Sequence, residues 1–80
     1  FKIYNKNIKV IQIPIKWKGI KLLTRNLVRK ADKNNLLVHV WTINDRNTIN
    51  NLIDIGVNGI ITDQPELLMK IMKERDLISD

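Results

Sequence analysis

Val38 to Asp45 reads VHVWTIND, and Gly59 to Pro65 reads GIITDQP. The first run is β-branched and apolar on both alternating faces, which suits a strand from about Leu37 to Ile43 that is covered on two sides. Asn44 and Asp45 offer an N-cap for a helix beginning just after them. Ile49, Leu52 and Ile53 then stand at i, i+3 and i+4, a helical stripe, and Gly56 sits where a helix closes on a left-handed residue. The second run predicts another strand over about Gly59 to Thr62. Pro65 suits the first position of a further helix, because its missing N–H would have been unpaired there. Leu67, Leu68, Ile71 and Met72 give that helix its apolar face, and it is expected to fray after Arg75.

The same alternation extends upstream. KVIQIPI predicts a strand from Lys9 to Ile13, ended by Pro14, which cannot donate to a ladder. WKGIKLL reads as a loop around Gly19. Thr24 is the expected N-cap of a helix through about Asn34, with Leu27, Val28 and Ala31 on one face. Asn35 comes next, a residue type that tolerates a left-handed backbone. Strands alternating with helices of about ten residues imply parallel β-α-β units in an α/β chain, since a parallel pair needs a crossover and a helix supplies it. Residues 1–80 show no repeat, low-complexity tract or flexible linker and read as a single unit. Three such strands cannot close a barrel, and both sheet edges would remain unpaired.

The 80 residues are 44% hydrophobic and 28% charged, a globular composition, with no cysteine for disulfides, iron–sulfur clusters or zinc thiolates. No apolar run approaches the ~20 residues that a bilayer span requires. The formal charge is +6. Its bases concentrate between Lys2 and Lys33, whereas seven acids fall from Asp45 to Asp80. No aromatic ladder is interleaved with those bases, so a solvated basic face is expected in preference to a nucleic-acid site. Phe1 is not a start residue and no leader-like segment opens the chain, so upstream sequence is expected. Whether the protein is cytoplasmic or anchored to a membrane would be decided there.

VHVWTIND followed by IDIGVNGIITDQPELL (Ile53 to Leu68) resembles the last two strand-helix units of the glycerophosphodiester phosphodiesterase family, which folds as a TIM-type (β/α)₈ barrel. IQIPIKWKGIKLLTRNLVRKA (Ile11 to Ala31) resembles the sixth strand, loop and helix in that family's bacterial branch. Asn58 stands where the family more often has Asp, and Asn35 where it usually has Gly; both are turn positions. The resemblance implies that the chain is the C-terminal part, about three strand-helix units, of such a barrel, whose usual length is about 250 residues.

It also implies a parent enzyme that hydrolyses glycerophosphodiesters to glycerol phosphate and an alcohol. A divalent cation, Ca²⁺ or Mg²⁺, would neutralise the phosphate, and two histidines would serve as acid and base. The family's His-Arg-Gly strand, second catalytic histidine and cation-binding carboxylates belong to the first half of the barrel. This segment would therefore hold no catalytic residue, would contribute to substrate binding, and would be inactive alone.

Trp41 is the leading candidate for substrate contact. It ends a strand, and TIM-barrel active sites are built at strand C-termini; the family's matching tryptophan packs against the glycerol moiety. Alternation puts His39 on the same face one layer below, where a structural role is expected. Asn44 could bond substrate or cap the next helix, capping being the commoner use. Asp63 is expected to serve the N-terminus of the helix that Pro65 opens. Gln12 could line the site or bond backbone. Lys16, Lys18 and Lys21 flank Trp17 in a loop on the same face, where they could attract an anionic diester; Trp17 could be an exposed lid or a core plug. An alternative is a non-catalytic module that binds phosphate or lipid head groups. Open edges and an uncovered inner face lead to the expectation of a homo-oligomer for this segment alone.

Overall fold

The computed structural model describes residues 9–79; Lys2 and Lys6 of the basic half lie outside them. In chain order they form β1 (Lys9–Ile13), a two-strand hairpin of β2 (Lys16–Trp17) and β3 (Ile20–Lys21), α1 (Arg25–Lys33), β4 (Leu36–Val40), α2 (Arg46–Ile55), β5 (Gly59–Ile60) and α3 (Pro65–Glu74). The three longer-range strands make one parallel sheet in the order β1-β4-β5. The expected α/β alternation with parallel pairing is present.

Local chemistry sets the helix boundaries. The Thr24 hydroxyl accepts from the Leu27 N–H at 3.1 Å and starts α1. Asn35 then turns the chain at φ 58°, the left-handed conformation its side chain tolerates. Gly56 ends α2 at φ 98°, and Pro65 opens α3. Asp45 caps α2 through the Thr48 N–H at 2.9 Å and the Thr48 hydroxyl at 2.7 Å. The hydroxyl bond first, then the N–H bond, holds the Asp45 carboxyl below its ordinary value.

A depressed folded-state value means that this cap stabilises fully above the unfolded carboxyl's value and fades as pH falls through the folded one. The stability difference between the parent and Asp45→Ala is accordingly expected to be largest near neutral pH and to shrink in strong acid. Urea midpoints measured down a pH series give the result; a difference that grew on acidification would contradict the cap.

The helices pack on one face of the sheet. Val38 and Val40 point into that layer and are fully buried, as are Ile49, Leu52, Ile71 and Leu23. Ile11 and Ile13 pack against the same cluster. The ion pairs Arg46–Glu74 and Arg75–Asp54, with Arg75 also donating to Asn50, tie α2 to α3 on the surface.

The other face of the sheet is open: Val10 and Gln12 are exposed, and His39 is half-buried. The sequence led us to expect strands covered on both sides; within these residues only the helix side is covered. The free edge of β5 borders an open apolar groove of about 470 Å³ between Ile53, Val57, Ile60, Leu68, Met72 and Leu77.

Three expectations are corrected. The strand placed over Leu37 to Ile43 runs Leu36–Val40, and the one over Gly59 to Thr62 runs Gly59–Ile60. Single bonds continue the ladder past both ends, from the Ile61 N–H to the Val40 carbonyl at 2.8 Å and from the Ile43 N–H to the Ile61 carbonyl at 2.9 Å. The segment read as a loop around Gly19 is the β2-β3 hairpin. Lys18 and Gly19 both take positive φ, 50° and 79°, which lets a two-residue turn join strands of native twist.

Asn58, expected at a turn, does more than turn the chain. Its backbone N–H donates to the Val38 carbonyl at 2.9 Å, while its side-chain carbonyl accepts from the Val38 N–H at 2.8 Å. A single residue thereby satisfies both polar groups of a fully buried strand position.

Candidate functional site at the strand C-termini

Parallel pairing brings the ends of β1, β4 and β5 to one side of the sheet, and the residues just beyond them form the site. The Trp41 N–H donates to the Ile13 carbonyl at 3.2 Å, so Trp41 continues the β1-β4 ladder by one residue. Alternation then carries its indole to the face of His39, opposite the buried Val38 and Val40. It is 40% exposed. Ile43, two residues on, is buried and returns the segment to the core, so the backbone is held at Trp41 and again at Ile43.

Below Trp41 the register pairs Gln12 with His39 and His39 with Gly59. Gly59 leaves room for the imidazole: a Cβ there would lie 2.7 Å from His39 Cδ2 and 2.9 Å from Nε2. Gln12 is exposed on the same face, one strand away.

Asn44 departs from its expected capping role, since Asp45 alone caps α2. The Asn44 side-chain carbonyl accepts from the Thr62 hydroxyl at 3.0 Å and from the Asp63 N–H at 2.8 Å, and its amide donates to the Asp63 carboxylate at 3.5 Å. Asn44 thus ties the loop after β4 to the loop after β5. Asp63, expected to serve the N-terminus of α3, engages Asn44 instead, and Gln64, the N-cap residue of α3, makes no side-chain cap bond. The sequence reading missed Thr62. Its hydroxyl also accepts from the Gln64 N–H at 2.9 Å, a local turn that the Thr-Asp-Gln-Pro order could have signalled.

The hairpin rises from the same end of β1. Trp17 is exposed, as a lid would be, with the Lys18 ammonium 5.9 Å from its ring centroid. Lys16, Lys18 and Lys21 are exposed around it. Among the described residues no three His, Cys, Asp or Glu side chains converge so as to hold a metal ion. The carboxylates in the loops at this end are engaged, Asp63 by Asn44 and Asp45 by Thr48. These residues therefore do not fit a divalent-cation cage.

An open parallel α/β sheet with an aromatic residue and hydrogen-bonding side chains gathered at its strand C-termini defines a class of ligand-binding architecture in which sites form at that end. The model of the glycerophosphoryl diester phosphodiesterase family matches residues 3–67. A Mycobacterium tuberculosis protein named probable glycerophosphodiester phosphodiesterase 2 is 31% identical over 70 residues, which are 88% of this chain and 26% of that protein. A Bacillus subtilis glycerophosphodiester phosphodiesterase is 36% identical over 53 residues, 66% of this chain and 18% of its own length. The dermonecrotic toxin LhSicTox-alphaIA2bvi of Loxosceles hirsuta is 38% identical over 37 residues, 46% of this chain and 14% of the toxin. The chain belongs to the glycerophosphoryl diester phosphodiesterase family. It spans about a quarter or less of the length of these relatives.

Proposed function

We propose that this chain is the closing part of a (β/α)₈ barrel whose whole hydrolyses glycerophosphodiesters to glycerol phosphate and an alcohol, with a divalent cation held by residues elsewhere in the barrel. The observation that carries the reading is the position of Trp41: a half-exposed indole at the C-terminal end of a parallel strand, in a chain that the family model covers from residue 3 to residue 67. In a barrel the open face bearing Gln12, His39 and Trp41 would be the interior, and the hairpin and the loops after β4 and β5 would line the mouth.

In that setting the indole offers a flat apolar wall with one N–H donor, suited to the carbon skeleton and hydroxyls of a glycerol moiety. Asn44 acts through position. By fastening the loop after β4 to Thr62 and Asp63, it fixes the segment from which Trp41 projects. Gln12, one strand away on the same face, would present its amide to a polar substrate group. The chain alone would be inactive, because its residues bind and orient but supply neither the cation cage nor an acid–base pair.

Trp41→Ala in the full-length enzyme is expected to lower kcat/KM for a glycerophosphodiester by about ten- to hundredfold, the loss expected when one large apolar contact is removed. Affinity for the cation should stay unchanged, as read by metal titration. Loss of turnover and of cation affinity in equal measure would make the indole scaffold only.

A further inference from the structure

The hairpin after β1 is built like an anchor for a charged apolar surface. Lys16 pairs with Lys21 and Trp17 with Ile20, so alternation places the two lysines on one side and the tryptophan with the isoleucine on the other. Trp17 is 57% exposed and Ile20 66%. The root is fixed. Both the Leu22 and Leu23 N–H groups donate to the Ile15 carbonyl, at 2.8 and 3.2 Å, and Leu23 is buried in the core.

No acidic residue stands between Lys9 and Ala31. Within this stretch the charges around the apolar pair are therefore of one sign, with Lys18 at the turn and Lys16 and Lys21 behind it. Six residues cannot supply the roughly 800 Å² per partner that a stable protein–protein interface buries. They can serve a bilayer surface, where tryptophan settles at the head-group level and lysines meet acidic phospholipid.

We propose that the hairpin from Lys16 to Lys21 docks the protein on membranes containing anionic phospholipid. Trp17 and Ile20 enter the head-group region, and Lys16, Lys18 and Lys21 lie against lipid phosphates. Because the hairpin leaves the sheet at the end where Trp41 lies, docking turns that end toward the lipid. The proposal stands apart from the hydrolase reading, since vesicle binding is measured without turnover.

The test is co-sedimentation of the full-length protein with vesicles of phosphatidylcholine alone and of phosphatidylcholine mixed with phosphatidylglycerol. Binding to the mixed vesicles is expected, with little to phosphatidylcholine. Each Lys→Gln change in the hairpin should weaken it about fivefold, and all three together about a hundredfold. The double change Trp17→Ser with Ile20→Ser should abolish it at low salt, with circular dichroism and the urea midpoint unchanged because both side chains are exposed.

Trp17 emission, read as the difference between the parent and Trp17→Phe, should shift to the blue on the mixed vesicles. Absence of binding, equal binding to both lipids, or binding that survives the double change would overturn the proposal. So would a Trp17 already blue-shifted and shielded from acrylamide before lipid is added, which would mean that another part of the protein or a second copy covers the hairpin.

Discussion

Leu52→Ala is expected to remove about 2–5 kcal/mol of stability, the range for truncating a fully buried leucine in a core that relaxes only partly around the void. Leu52 is 2% exposed, and Ile49 and Ile71 in the same core cluster are equally enclosed. Native folds are stable by only about 5–15 kcal/mol, so the change takes a large share of what holds α2 and α3 to the sheet. Urea titration should show a lower midpoint with an unchanged slope. Leu77, 51% exposed, provides the comparison: Leu77→Ala should cost less than about 0.5 kcal/mol. A Leu52 variant as stable as the Leu77 variant would mean that the helices are not seated on this core.

Gly59→Ala is expected to cost about 1–3 kcal/mol, as overpacking does when it forces a side chain out of its preferred rotamer. The new methyl would meet His39 Cδ2, Nε2 and Cγ at 2.7, 2.9 and 3.1 Å. The backbone cannot retreat, because Gly59 is paired with β4 in register with His39. The imidazole must swing instead, across the open face that also carries Gln12. His39→Ala should recover most of the loss in the double variant, since alanine suits a strand better than glycine once the ring is gone. Stabilities of the two single variants and the double, taken as a cycle, read the coupling directly. Additive losses would show that the close approach has no energetic weight.

The periodicity of VHVWTIND and GIITDQP, together with the helical stripes around them, led to a parallel α/β chain, and the resemblance of those stretches led to the family; both are found. The helix ends at Thr24, Asp45, Gly56 and Pro65 were legible because each is a local event. A cap is a bond to a residue three positions away or a backbone angle at a single residue, and residue type alone nearly decides it.

The partners of Asn44 are not legible in the sequence, for the opposite reason. As a residue type it caps, and Asp45 next to it does so. Yet its own partners, Thr62 and Asp63, lie 18 and 19 residues away, and no local rule measures that distance. The hairpin escaped the reading as well. Its strands are two residues each, too short to show alternation, and a Lys-Gly turn lacks the Asn or Asp that usually announces one.

From the order of its residues alone the chain determined its alternation of elements and its helix boundaries, because backbone preference and side-chain period act over a few positions. Tertiary structure alone decided that Asn44 fastens two loops, that Asn58 serves both polar groups of Val38, and that Gly59 makes room for His39. Those contacts exist only where the parallel register sets distant residues side by side.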